Sequence, residues 1–168
     1  MAYVKLYDLV GFKICWVLCA FCSVWGNPYL GPLATSIFIL GHLFMVQFNS
    51  RDIKIILAAI LLGFIFDTLF LYFEFIGYQG STLYAPLWII AMWAGFSITL
   101  IYTLEKLHNN YLFGALLGLI GGPLSYQAGV GIGSITIANN MAYIVLAIAW
   151  AIAIPLLLLL IKKFSTNK

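Results

Sequence analysis

The feature that most constrains this chain is a succession of six apolar segments, each long enough to cross a bilayer. About 20 apolar residues span a hydrocarbon core of about 30 Å, and the segments lie at residues 6–25, 29–48, 53–76, 84–104, 111–131 and 140–161. Of the 168 residues, 64% are hydrophobic and 8% are charged, which is too little charge for the surface of a soluble domain. The sequence predicts an all-α, polytopic membrane helix bundle with six transmembrane helices, forming one transmembrane domain over residues 1–168.

The basic residues predict the orientation of the bundle. Apart from Lys13, they fall at or beside alternate connections and at both ends of the chain: Lys5, Arg51, Lys54, Lys106, Lys162, Lys163 and Lys168. By the positive-inside rule, both termini are predicted to be cytoplasmic, and we expect a multi-pass protein of the bacterial inner membrane surrounded by membrane lipid. Because these residues are scattered over segment ends, the net charge of +3 does not indicate nucleic-acid binding.

Asp67 lies deep inside the third segment. It follows Lys54 by thirteen positions, which corresponds to about 20 Å of helix, slightly past the midplane. An ionised carboxylate there costs at least a few kcal/mol, so its side chain should face protein or water. Helical spacing places Gly63 and Glu74 on the same side. Asp67 either hydrogen-bonds a neighbouring helix and locks the bundle, or it takes part in binding a substrate, an ion or a proton.

Two other residues fall at related depths. Trp93 lies at about the depth of Asp67, and its indole N–H is a natural donor to a buried carboxylate. His42 lies about 7 Å lower than Asp67 by the helical rise. A His–Asp couple would be the material of a proton relay, whereas a backbone carbonyl would satisfy His42 in a structural role.

The first segment carries both charges and thiols. Asp8 is predicted to be an interfacial anchor that pairs with Lys5 or Lys13. Three cysteines share one helical face and are predicted to pack as small apolar side chains: Cys15, Cys19 and Cys22.

The fifth segment is rich in glycine. Gly114, Gly118 and Gly122 repeat every four residues, which predicts a groove that lets another helix approach closely. Gly121, Gly122 and Pro123 are predicted to interrupt the helix at the depth of Asp67. The glycines at 129, 131 and 133 predict a non-helical exit. The break is either a packing kink or the wall of a binding cavity.

The inventory of catalytic residues is thin. The chain has five acidic residues and two histidines, and it contains no HExxH, no G-x-S-x-G and no acidic pair with metal spacing. An enzyme is therefore less favoured than a non-enzymatic protein, and neither a cofactor nor a metal is expected.

Several motifs resemble a family of small bacterial inner-membrane proteins, domain of unknown function 2878. The resemblance runs nearly end to end: Phe12 and Trp16, GFIFD (63–67), APLWIIAMWAGFSITL (85–100) and GALLGLIGGPLSYQAGVGIG (114–133). At Asp8 and Lys13 the chain departs from the family pattern, which has amides there. The resemblance implies the fold class and location but no reaction. Size, span count and G-x-x-x-D also resemble the substrate-binding subunits of energy-coupling-factor vitamin transporters and the rod-shape protein of the cell-wall elongation complex, an analogy of fold.

Three functions remain open at this point. The first is binding or transport of a small molecule or lipid at a mid-membrane site open to the periplasm. The candidate ligand-binding residues are Asp67, Trp93, Tyr126, Gln127, His42 and Glu74. The second is a scaffold for a membrane-protein partner or a homo-oligomer, with the glycine groove as the contact. The third is a membrane-embedded lipid-modifying enzyme.

Overall fold

The computed structural model describes residues 2–166, so Lys168, used above for orientation, lies outside the described residues. Within 2–166 the chain forms six α-helices: α1 (Ala2–Val24), α2 (Leu30–Met45), α3 (Ser50–Tyr72), α4 (Leu87–Tyr102), α5 (Tyr111–Ile132) and α6 (Asn140–Thr166). Two short strands, β1 (Ile76–Tyr78) and β2 (Ile135–Ile137), and a 3-10 turn (Glu105–Leu107) complete the described elements. The predicted all-helical class is confirmed.

The helices have the length and composition of membrane helices. Among residues 2–166, four of them (α1, α3, α5 and α6) are long and apolar enough to cross a bilayer. Helices α2 and α4 are apolar but have 16 residues each, or about 24 Å. Large apolar side chains such as Leu57, Leu61 and Ile144 lie on the outer surface, more than half exposed. The chain is a membrane protein by these criteria.

A two-stranded ribbon joins two of the connections that carry no Lys or Arg. Strand β1 follows α3, strand β2 follows α5, and they pair antiparallel with Gly77 opposite Thr136. The third predicted segment was therefore too long, because α3 ends at Tyr72 and the chain turns into β1. The ribbon satisfies backbone groups that would otherwise lie unpaired beside the helix ends.

The glycines of α5 hold α6 at close range. A Cβ on Gly118 would lie 2.2 Å from the carbonyl oxygen of Trp150, and one on Gly122 would lie 2.4 Å from the Trp150 ring. The predicted groove is confirmed, and its occupant is α6 of the same chain. The surface suggested above for a scaffold partner is therefore already buried.

Helix α5 is not interrupted at Pro123. The helix is continuous from Tyr111 to Ile132 and ends at Gly133, whose φ of +89° is the left-handed cap conformation. The predicted break and the predicted non-helical exit are wrong. Proline removes one backbone donor, but α6 packs closely against Gly118 and Gly122 in the turn before it and supports the helix there.

Charged side chains gather at the opposite end of the bundle from the ribbon. Lys5 bonds the Glu105 carboxylate, Arg51 donates to the hydroxyl of Ser165 at 3.4 Å, and Lys54 lies over the ring of Phe164. These contacts bring the beginnings of α1 and α3, the 3-10 turn and the end of α6 to one face of the molecule.

Candidate functional site

Asp67 is the centre of a fully buried hydrogen-bond cluster. The hydroxyl groups of Tyr78 and Tyr126 each donate to its Oδ1 at 2.5 Å, and Trp93 Nε1 donates to its Oδ2 at 2.6 Å. The four side chains come from α3, β1, α5 and α4. The predicted indole donor is confirmed, and the carboxylate connects four elements of the fold.

Gly63 makes this geometry possible. It lies one helical turn before Asp67, and a Cβ at this position would lie 2.3 Å from Cγ of Trp93. The absence of a side chain lets the indole lie against α3 and aim its N–H at the carboxylate. Trp93 is fixed on its other face by Trp150, whose ring stacks at 4.3 Å between centroids and 14° between planes.

Tyr78 is the member of this cluster that sequence reasoning missed. It lies in the GYQG stretch, which resembles an ordinary polar loop. Its position follows from β1, which turns the chain back toward α3 and pairs with β2. A three-residue strand leaves no periodic signal in a sequence, so no local pattern indicated Tyr78.

A cavity of about 580 Å³ lies between α1, α4, α5 and α6. This volume falls within the range of about 300–1,000 Å³ that is typical of ligand sites. The aromatic side chains in its wall are Phe12, Trp16, Trp88, Trp93, Phe96, Tyr126 and Trp150. Among the residues of its wall, the charged side chain is Lys13. The cavity is therefore suited to an apolar occupant.

The cavity lies between two helices that are only loosely packed, α1 and α5. Helix α5 packs against α6 along its length, whereas α1 and α5 scarcely touch. One hydrogen bond, from Trp16 Nε1 to Ser125 Oγ at 3.3 Å, links α1 to α5 across the gap. Trp93 and Tyr126, which hold Asp67, also form part of the wall, so the buried cluster positions the cavity without opening its carboxylate to it.

His42 belongs to a second buried cluster. Its Nδ1 lies 2.7 Å from Asp8 Oδ1, and its Nε2 lies 3.6 Å from Asp52 Oδ2. Arg51 Nε and the Tyr102 hydroxyl donate to Asp52 at 2.8 and 2.6 Å. Asp8, His42 and Asp52 are fully buried. The cluster joins α1, α2, α3 and α4 near the charged end of the bundle.

This second cluster corrects two sequence predictions. Among the described residues no hydrogen bond joins His42 to Asp67, and Asp52 and Asp67 are fifteen positions apart on α3, or about 22 Å. Asp8 is buried against His42 and is not an interfacial anchor. Counting residues gives the depth of a side chain along its helix but not the direction in which the side chain points. The partners that His42 and Asp8 face therefore could not be identified by counting.

Glu74 and Gln127 lie away from both clusters. Glu74 follows the end of α3 with a φ of +57° and is exposed, so its predicted helical face in common with Asp67 is wrong. Gln127 is exposed and accepts a hydrogen bond from the Tyr143 hydroxyl. A ligand-binding role for the candidate residues stays a prediction for each of them.

Two remaining features of the sequence are its cysteines and its possible metal ligands. The three cysteines of α1 are free and buried, as their predicted packing role requires. Within the described residues, no three His, Cys, Asp or Glu side chains are grouped so as to hold a metal ion.

Comparisons with known proteins identify the family of the chain. No curated protein and no solved structure matches the chain, so the likeness to energy-coupling-factor subunits stays a prediction. A family model described as Protein of unknown function (DUF2878) matches residues 5–156, which is most of the chain and includes both buried clusters. The chain therefore belongs to the DUF2878 family.

Proposed function

We propose that this protein binds a small apolar or amphipathic molecule within the membrane, in the cavity between α1, α4, α5 and α6. The observation that carries the proposal is the cavity itself, about 580 Å³ with a wall of aromatic and aliphatic side chains. A void of this size leaves its wall without dispersion contacts, so an apolar occupant restores contacts that an empty space forfeits.

We also propose that the chain crosses a bacterial inner membrane six times, with both termini in the cytoplasm. The support for this topology is the gathering of Lys5, Arg51 and Lys54 at one end of the bundle, while the connections at the ribbon end carry no Lys or Arg. This asymmetry is what the positive-inside rule associates with a cytoplasmic face. The 16-residue helices α2 and α4 would cross a locally thinned bilayer.

We propose two routes by which a ligand enters the cavity. The gap between α1 and α5 supports lateral entry from the lipid. Ser134 and Ile135, which line the cavity beside the ribbon, support entry from the periplasmic side. In either case Asp67 acts as a positioning residue, because it holds Trp93 and Tyr126 in the wall.

Gly121 offers a direct test. It lines the cavity, and a Cβ there would meet nothing within 4 Å, so Gly121→Leu places an isobutyl group in the cavity without a backbone clash. Gly131 also has open space around its Cβ position but lies outside the cavity wall, which makes Gly131→Leu the matched control.

Native mass spectrometry of the gently extracted protein identifies the molecule that is bound in the cavity. We expect a defined small-molecule or lipid adduct on the wild type and on Gly131→Leu, and its loss from Gly121→Leu. Equal adducts on all three proteins, or none on the wild type in any mild detergent, would contradict binding in this cavity.

A further inference from the structure

Lys13 is a cation inside the apolar part of α1. It lies eight positions beyond Lys5, or about 12 Å further along the helix, while Lys5 is held at the charged end of the bundle by Glu105. A lysine near the centre of a spanning helix costs about 2.5–3.5 kcal/mol on insertion scales. A charge in such a place calls for a partner or for access to water.

Within residues 2–166, no carboxylate is paired with Lys13. Four of its five acidic residues are engaged elsewhere: Asp8 with His42, Asp52 with Arg51, Asp67 with its three donors, and Glu105 with Lys5. The hydrogen bond from Lys5 also holds the pKa of the Glu105 carboxyl below its ordinary value, so that carboxylate stays charged and paired. Glu74, the fifth, lies exposed beyond the end of α3 that adjoins the ribbon.

Lys13 lies at the boundary of the cavity. It is part of the cavity wall, on α1, and is also exposed at the outer surface of the bundle. Ser125, also in the wall, faces the gap between α1 and α5 and accepts from Trp16, and among the described residues its own O–H is donated to none. The two helices that flank the gap therefore contribute a cation, Lys13, and a hydroxyl donor, Ser125, whereas most of the cavity wall is apolar.

We propose that the cavity holds an acyl chain of an anionic membrane lipid, with the headgroup anion bound by Lys13 and Ser125 at the gap between α1 and α5. This inference rests on the proposed function and names its ligand class. The apolar cavity favours binding of the acyl chain, and the positive charge of Lys13 favours an anionic headgroup over a zwitterionic one. A free anion lacks the chain that the interior is built to contact.

Lipid competition tests the headgroup. The protein is purified in detergent with equimolar phosphatidylglycerol and phosphatidylcholine carrying the same acyl chains, and native mass spectrometry counts the lipids of each class that stay bound. We expect the wild type to favour phosphatidylglycerol about fivefold, since one lysine contributes about that factor toward an anionic lipid. Lys13→Gln should lose the preference. Lys106→Gln, which removes an exposed lysine of the 3-10 turn, should keep it.

The variants separate the two proposals. If Gly121→Leu loses both lipids while Lys13→Gln keeps the phosphatidylglycerol preference, the cavity binds a lipid but the headgroup assignment is overturned. If Gly121→Leu retains both lipids at the wild-type level, binding in the cavity fails as well. Displacement of phosphatidylglycerol by millimolar inorganic phosphate would reassign the Lys13 site to a free anion. Continued protection of Cys15, Cys19 and Cys22 from a thiol reagent shows that each variant is folded, because these thiols are buried.

Discussion

Replacing Asp67 with alanine tests whether its carboxylate is the hub that joins α3, α4, α5 and β1. The substitution removes the acceptor of three hydrogen bonds and leaves the hydroxyls of Tyr78 and Tyr126 and the indole N–H of Trp93 facing a void. All of these groups are buried.

The magnitude follows from the number of bonds. Side-chain hydrogen bonds between membrane helices contribute about 0.6 kcal/mol on average and about 1.7 kcal/mol at most, so three of them amount to about 2–5 kcal/mol. Asp67→Asn should cost less, about 1–2 kcal/mol, because its carbonyl oxygen still accepts a hydrogen bond from the neighbouring donors.

The free energy of unfolding can be measured by titrating mixed micelles with sodium dodecyl sulfate and following thiol labelling. The buried cysteines of α1 become reactive as the bundle opens. The order of stability should be wild type, then Asp67→Asn, then Asp67→Ala, with Glu74→Ala at the wild-type value because Glu74 is exposed. If Asp67→Ala unfolds at the same detergent fraction as the wild type, the carboxylate does not hold these elements together.

Three further predictions concern other parts of the bundle. Gly118→Ala should destabilise the protein, because its Cβ would lie 2.2 Å from a backbone oxygen of α6. Gly121→Ala should instead stabilise the protein by up to about 1 kcal/mol, because alanine has the higher helix propensity. The same unfolding titration compares the two variants. His42→Ala should lower the free energy of unfolding by about 3–5 kcal/mol, because it leaves the buried carboxylate of Asp8 without its partner, whereas Asp52 keeps Arg51 and Tyr102. Removing the Asp8 carboxylate as well should recover part of that loss. Gln79→Cys should react with a membrane-impermeant thiol reagent on intact spheroplasts and Lys106→Cys should react only after lysis; the reverse pattern would invert the proposed topology.

Asp67 and His42 show what counting residues along a helix can predict and what it cannot. Counting matched Trp93 to Asp67 correctly, because the rise per residue is constant and α3 and α4 are neighbours in the chain that pack together. The same counting suggested His42 as a partner of Asp67, and this was wrong because His42 faces Asp8 on α1 and Asp52 near the start of α3. Depth is a property of one helix, whereas a hydrogen bond depends on the rotation and packing of two.

The fifth helix shows the same limit in a different form. The spacing of Gly114, Gly118 and Gly122 predicted close helix packing, and α6 fills that groove. The Gly-Gly-Pro sequence also suggested a broken helix, but α5 is continuous. Local propensity favours a break there, and the packing of α6 against the same face outweighs it.

The sequence by itself determined the class of the protein: apolar segments of spanning length, basic residues at alternate connections and a buried acid at mid-depth are each properties of local composition and of a fixed helical rise. Only the tertiary structure decided which polar groups meet. Tyr78 reaches Asp67 because a three-residue strand pairs with another strand 59 positions away in the chain. The cavity exists because α1 and α5 pack only loosely against each other. Lys13 borders it without a carboxylate because Asp8 of α1, Asp52 and Asp67 of α3, and Glu105 are bonded to other residues. Such arrangements depend on the relative rotation of distant helices, which no local pattern in the chain encodes.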